Sequence, residues 1–78
     1  MAKLSPAQRT LIDAMNGGAI VSFMTGLNAF AHADRPCPGV NNITVTVLAL
    51  ERAGIVERWD HRANGNFRFR LTEKGKAL

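Results

Sequence analysis

The side chains in this sequence that are best suited to chemistry are basic, and they are concentrated near its C-terminal end. Positions 52–78 hold seven basic and three acidic residues, whereas positions 1–51 hold three of each sign. The formal charge of +4 is therefore localised in the last third of the chain. Localised positive charge attracts anions, above all the phosphate backbone of nucleic acids. The basic residues of this segment are Arg52, Arg58, Arg62, Arg68, Arg70, Lys74 and Lys76.

The other reactive side chains do not form a pattern typical of catalysis or metal binding. The two histidines, His32 and His61, lie 29 residues apart, and neither has metal-ligand spacing from Cys37. Cys37 is the only cysteine, which excludes an internal disulfide and is typical of a reducing cytosol. Gly17 and Gly18 precede a predicted strand, so they are not a phosphate-binding loop opening a helix. We therefore expect no enzyme activity, no metal and no cofactor.

The basic segment follows a predicted helix over residues 42–53. Asn41 or Asn42 is suited to cap its first turn, because a short amide side chain accepts a hydrogen bond from a free backbone N–H. Gly54 suits the left-handed conformation found just past a helix end. Residues at helical spacing supply one apolar face. These residues are Ile43, Val47 and Leu50.

A β-hairpin is predicted over residues 56–71. Its turn is assigned to residues 63–65, a three-residue loop in which Gly65 takes the positive φ angle. This register pairs Trp59 with Phe69 and separates an apolar face from a charged face. A two-residue turn would instead pair Trp59 with Arg70. The expected apolar face is Trp59, His61, Phe67, Phe69 and Leu71, and the expected charged face is Arg58, Asp60, Arg68 and Arg70.

Residues 42–78 resemble the second half of a winged helix-turn-helix domain, as found in MarR-, ArsR- and PadR-like bacterial regulators. The resemblance implies that the helix over residues 42–53 is the recognition helix and that the basic hairpin is the wing. The final helix of such a domain would begin after Thr72. The residues that carry the resemblance are Leu50-Glu51, Ala53-Gly54-Ile55-Val56, Arg58 and the closing run LTEKGKAL of residues 71–78.

The first half of the chain predicts two more helices. Ser5 and Gln8 form a capping box for a helix over residues 6–16, and the run LSPAQRTLIDAMNGG resembles the first helix of MarR-like domains. The short β-branched run at residues 19–21 predicts either a strand that pairs with the wing or the start of the next helix. Ser22 is assigned as the cap of a helix through residue 33. Residues 34–40 contain two prolines, and they form a longer connector than such domains usually have.

The expected fold is a small α+β winged helix forming a single domain over residues 1–78. It would contain three helices and a β-hairpin wing, with or without one short extra strand. The apolar residues at helical and strand spacing should form its core. The predicted core is Leu11, Ile12, Leu27, Phe30, Ile43, Val47, Leu50, Ile55, Phe69 and Leu71.

The resemblance and the charge together predict a small cytoplasmic transcriptional regulator that binds double-stranded DNA in a sequence-specific way, with a homodimer or another protein as further partners. No apolar run is long enough to cross a membrane. The alternative is a winged-helix adaptor that docks on a protein through the apolar strip Val45, Leu48 and Ala49. The predicted DNA-binding residues are Asn41, Asn42, Thr44, Val45, Thr46, Ala49 and Arg52 on the recognition helix, and Arg58, Arg62, Asn64, Arg68 and Arg70 on the wing.

Overall fold

The computed structural model describes residues 4–26 and 29–78, and over these ranges the chain forms three helices and one four-stranded antiparallel sheet. The strand order in the sheet is β2-β1-β4-β3. The expected α+β class is therefore confirmed, although the sheet is larger than predicted. The elements are α1 (Pro6–Asn16), β1 (Val21–Met24), β2 (Phe30–Ala33), α2 (Ile43–Arg52), β3 (Val56–Trp59), β4 (Phe67–Leu71) and α3 (Glu73–Lys76).

The helices begin where capping residues occur in the sequence. Ser5 and Gln8 form the expected capping box, with the Gln8 N–H 3.2 Å from Ser5 Oγ and the Ser5 N–H 2.9 Å from Gln8 Oε1. Asn42 caps α2, since its Oδ1 accepts a hydrogen bond from Val45 N at 3.1 Å. Gly54 follows α2 with a φ angle of 78°. These local predictions were correct because each depends on one or two neighbouring residues.

The helix predicted over residues 22–33 is wrong, because two antiparallel strands, β1 and β2, occupy most of this segment. Gly26 has a φ angle of 137°, which an α-helix does not allow. The buried residues Val21 and Ala31 instead follow a strand pattern, in which alternate side chains face the core. Ser22 therefore lies within a strand and does not cap a helix. The core residue predicted at Leu27 lies outside the described residues.

The prediction of a strand that pairs with the hairpin is confirmed, although the strand begins at Val21. β1 lies beside β4, with Val21 opposite Phe69 and Phe23 opposite Phe67. The β2 strand then extends the sheet on the other side of β1. The segment predicted to form a helix over residues 22–33 thus contributes an inner strand, β1, and an edge strand, β2.

The hairpin lies over the predicted residues, but its register differs from both alternatives. Trp59 is opposite Arg68 and not opposite Phe69 or Arg70, and the connection spans residues 60–66. Within it, Arg62 N donates to Asn66 O at 2.7 Å, and Gly65 has the expected positive φ angle of 91°. The predicted register was chosen to separate apolar from charged side chains, and this choice was wrong because Arg58 packs on the apolar side of the hairpin.

The core lies between the sheet and the helices α1 and α2. Most predicted core residues are buried, including Leu50 at 0 % exposure, and Ile43 is half-buried against the core. Phe30 was assigned wrongly, since it is 48 % exposed and lies on the opposite face of the sheet. The buried cluster is Leu11, Ile12, Met15, Val21, Ala31, Val47, Leu50, Ile55, Val56, Phe67, Phe69 and Leu71.

Candidate nucleic-acid interface

The outer face of α2 is the first part of the predicted DNA-binding surface. Val47 and Leu50 are buried on the inner side of the helix, which leaves Val45 63 % exposed and Arg52 exposed on the outer side. Ala49 is half-buried between them, and Asn41 is exposed just before the helix. Val45, Ala49 and Arg52 are separated by three or four residues, so they form one stripe along the helix, and Asn41 lies just before its first turn. We call Asn41, Val45, Ala49 and Arg52 the α2 stripe.

The polar residues Asn42, Thr44 and Thr46 make hydrogen bonds that serve the fold. Asn42 uses its side-chain oxygen to cap α2. Thr44 Oγ1 accepts a hydrogen bond from Ala31 N at 2.8 Å, which links α2 to β2. Thr46, a predicted DNA-binding residue, is only 9 % exposed and donates to Asn42 O at 2.8 Å, so it lies on the buried side of α2 and not on its outer face. Hydroxyl groups near a helix start commonly bond to the backbone in this way.

The four hairpin-region arginines lie on different sides of the sheet, which corrects the prediction of a single charged face. Arg58 is opposite Phe69, so it faces the helices, whereas Arg68 and Arg70 face away from them. Arg62 belongs to the loop over residues 60–66, together with the exposed Asn64. Because side chains alternate along a strand, the one-residue change in register moved Arg58 to the other face.

Arg58 is held on the core side by two contacts. Its guanidinium group forms a bidentate ion pair with Glu51 of α2, and it lies 4.7 Å from the centre of the Phe67 ring. The hydrogen bond that Arg58 donates to the Glu51 carboxylate raises the pKa of Arg58, burial partly opposes this effect, and the opposite charge of Glu51 adds to it. Arg58 consequently stays charged throughout the accessible pH range and fixes the hairpin to α2.

The other hairpin arginines also lie beside carboxylates. Asp60 Oδ2 is 3.0 Å from Arg62 and 3.5 Å from Arg68, and Glu57 is 3.6 Å from Arg70. All of these side chains are at least 31 % exposed. Solvent-exposed ion pairs contribute about 0–1 kcal/mol, so a phosphate can replace the carboxylate at little cost.

Arg52 differs from the hairpin arginines. Within residues 4–26 and 29–78, no carboxylate lies within 4.0 Å of its side chain. It occupies the last turn of α2, where a cation is favoured by the helix dipole. Nearby, Lys74 Nζ donates to Ala53 O at 2.9 Å and places a second positive charge at this helix end.

Asn66 is a positioning residue that sequence reasoning missed. Its Oδ1 accepts hydrogen bonds from Thr25 N at 2.9 Å and from Thr25 Oγ1 at 3.2 Å, and so it joins the end of β1 to the hairpin loop. Asn64 in turn accepts a hydrogen bond from Asn66 N at 3.1 Å. Asparagine beside glycine is a turn signal, but the partner 41 residues away is set by the tertiary structure.

The remaining reactive side chains stay apart. Among the residues that the structure describes, no three histidine, cysteine or acidic side chains gather as metal ligands would. Cys37 is a free thiol whose Sγ donates to Arg35 O at 3.6 Å. Across the same residues, none of the helices has the length and apolar character needed to cross a membrane.

Comparisons with protein-family models, with curated proteins and with solved structures gave no significant match.

Proposed function

We propose that this protein binds double-stranded DNA and acts as a small cytoplasmic transcriptional regulator. The observation that carries the proposal is the concentration of the entire +4 charge in residues 52–78. These residues form the end of α2, the hairpin β3–β4 and α3. The single cysteine supports the cytoplasmic location.

The proposed binding mode is that of a modified winged helix. The α2 stripe would enter the major groove, and the loop over residues 60–66 would contact phosphates beside it. Support comes from the pairing of β1 with β4 and from the ion pair between Arg58 and Glu51, which joins the hairpin to α2. In this proposal the hairpin β1–β2 replaces the first helix of the usual pair.

The α2 stripe supports backbone-dominated binding with modest sequence preference. Only Asn41 and Arg52 in this stripe carry groups that can hydrogen bond to base edges, while Val45 and Ala49 can contact thymine methyl groups. Phosphate contacts position a protein on DNA without reading its sequence. We therefore expect the affinity to depend strongly on salt and weakly on the duplex chosen.

The experiment is an anisotropy titration of labelled duplexes at several salt concentrations. For Arg62→Ala, we expect weaker binding to all duplexes and a decrease of about one in the slope of log affinity against log salt. Arg52→Ala should in addition change the preference among duplexes, by about 1–3 kcal/mol if Arg52 contacts a base.

The matched control is Arg35→Ala. Arg35 and Arg62 both have side chains that are 53 % exposed and both lie beside an aspartate, but Arg35 belongs to residues 1–51, whose net charge is zero. Its replacement should leave the salt slope unchanged. The proposal would be contradicted if the duplex affinity of the wild type did not depend on salt, or if Arg35→Ala and Arg62→Ala changed the salt slope equally.

The second candidate function is a protein-docking adaptor, which the 63 % exposure of Val45 on α2 favours. Here Leu48 packs partly against the core, so the available apolar strip is narrower than the sequence suggested. Val45→Asp separates the candidates. Loss of association with unchanged DNA affinity would favour the adaptor, and loss of DNA binding alone would reject it.

A further inference from the structure

The face of the sheet turned away from α1 and α2 combines aromatic and basic side chains. The strand pairings place one residue of each strand in a row across the sheet. In the order of the strands, this row is His32 of β2, Ser22 of β1, Arg68 of β4 and Trp59 of β3. Phe30 and Met24 lie beside this row at one end, and Arg70 and Glu57 lie beside it at the other. We call this surface the open face, and define it by Ser22, Met24, Phe30, His32, Glu57, Trp59, Arg68 and Arg70.

The aromatic rings of the open face are accessible. Phe30 is 48 % exposed and Trp59 is 38 % exposed, and His32 is also exposed. The Phe30 and His32 rings lie 5.9 Å apart on β2. Neighbouring strands are about 4.8 Å apart, so the aromatic groups on the two edge strands are separated by about 14 Å. This separation leaves room for several flat groups side by side.

Positive charge lies between and beside the aromatic groups. Arg68 belongs to the central strand β4, and the Arg70 guanidinium lies 5.5 Å from the Trp59 ring. A groove of about 340 Å³ continues from this end of the face, where Ile20 and Lys76 join Trp59 and Arg70 in its lining. The carboxylates of Glu57 and Asp60 pair with these arginines through exposed contacts, which a stronger anion can replace.

We propose that the open face binds single-stranded nucleic acid. Unpaired bases would stack on Phe30, His32 and Trp59, while Arg68 and Arg70 would contact the phosphates between them. Aromatic platforms flanked by arginine bind single strands in this way because every base has a flat face and every nucleotide a charge. A duplex keeps its bases stacked inside, so this site is separate from the proposed duplex-binding surface and does not depend on it.

The same residues argue against a second copy of the chain as the occupant. Closed dimers usually have twofold symmetry, so each residue near the axis meets its own counterpart. On the open face, an axis near the centre would bring Arg68 close to a second Arg68. Repulsion between like charges would oppose such a dimer, whereas the phosphates of a single strand are attracted to the same position.

Trp59 makes the test direct because it is the only tryptophan in the chain. Titration with a short oligothymidylate, and separately with an oligouridylate of equal length, should quench its fluorescence as bases stack on the ring. The same oligonucleotides, labelled and followed by anisotropy, give the affinity. A difference between the two arms shows whether DNA or RNA is the preferred single strand.

The central variant is Phe30→Ala, with Leu78→Ala as its control. Both side chains are apolar and 48 % exposed, but Leu78 follows α3 and belongs neither to the open face nor to the α2 stripe. Loss of one stacking contact should weaken single-strand binding by about fivefold or more, and the control should leave it unchanged. Arg68→Gln should weaken it and reduce its salt dependence. Circular dichroism of each variant checks that the fold is retained.

Three outcomes would overturn the proposal. The first is the absence of both quenching and anisotropy change with either oligonucleotide at low salt. The second is single-strand binding that Phe30→Ala leaves intact and Arg52→Ala removes, because the strand would then occupy the duplex-binding surface. The third is a dimer in sedimentation that Phe30→Ala dissociates, which would make the open face a self-association surface. Failure of the duplex titrations alone leaves these measurements unaffected.

Discussion

Gly75 is the glycine with the least space for a side chain. A Cβ atom at this position would lie 2.3 Å from Ile55 O and 3.1 Å from Leu71 Cδ2. The Ile55 carbonyl cannot move away freely, because it accepts hydrogen bonds from Thr72 N at 2.9 Å and from Thr72 Oγ1 at 3.1 Å. Glycine at this position therefore allows α3 to approach the chain that follows α2.

The first prediction is that Gly75→Ala lowers the free energy of unfolding by about 1–3 kcal/mol, the usual range for an overpacked site. Urea unfolding measures the change. Gly17→Ala is the control, since its Cβ would lie 3.4 Å from the nearest atom and its φ angle of −82° suits any residue. We expect the control to be neutral or slightly stabilising. Equal destabilisation by both variants would show that close packing at Gly75 is not the cause.

At the scale of secondary structure, the contact between α2 and β2 explains how an edge strand is covered. Ala31 pairs with Phe23 of β1, and its N–H on the outer side of β2 donates to Thr44 Oγ1 at 2.8 Å. An unpaired edge strand would offer such groups to other chains. The first turn of α2 thus covers the edge of β2, and the hydroxyl group of Thr44 is used for this contact and not for the proposed duplex-binding surface.

The second prediction concerns this hydrogen bond. Thr44→Val keeps the shape of the side chain but removes the acceptor, so the half-buried Ala31 N–H loses its partner. The free energy of unfolding should fall by about 1–3 kcal/mol. Thr44→Ser retains the hydroxyl group and should keep most of the stability. If denaturant titrations gave the same loss for both variants, the missing methyl group and not the hydrogen bond would account for it.

At the scale of the whole molecule, one apolar cluster joins the elements. It includes Leu11 of α1, Leu50 of α2 and Phe69 of β4. The two proposed binding surfaces lie on different sides of this cluster, with the α2 stripe on the outer side of the helix layer and the open face on the outer side of the sheet. A small domain with one core normally unfolds as a single unit.

The third prediction is that helix and sheet unfold together. Far-ultraviolet circular dichroism reports mainly on the helices, whereas the fluorescence of Trp59 reports on the hairpin. Both signals should give the same urea midpoint. Replacing Leu50 by alanine should shift both midpoints equally and cost about 2–5 kcal/mol, because Leu50 is 0 % exposed. Separate midpoints would show that the hairpin is a distinct cooperative unit.

The amino-acid sequence determined the features that depend on neighbouring residues. The caps at Ser5, Asn42 and Thr72, the positive φ angles at Gly54 and Gly65, and most buried residues were predictable, since each follows from local hydrogen bonding or from apolar spacing. The sequence also located the positive charge in residues 52–78. These properties hold whichever way the elements pack.

The tertiary structure decided which faces the side chains occupy. Residues 22–33 contain apolar residues at helical spacing, yet the segment contributes two strands to the sheet. The backbone of β1 pairs with β4, and Ala31 N of β2 donates a hydrogen bond to Thr44 Oγ1. In the hairpin, Arg58 lies on the core side of the sheet, where its guanidinium group is stabilised by the ion pair with Glu51 and by the face of the Phe67 ring. Pairing between distant residues thus fixed the register and, with it, the open face that contains Phe30, Arg68 and Trp59.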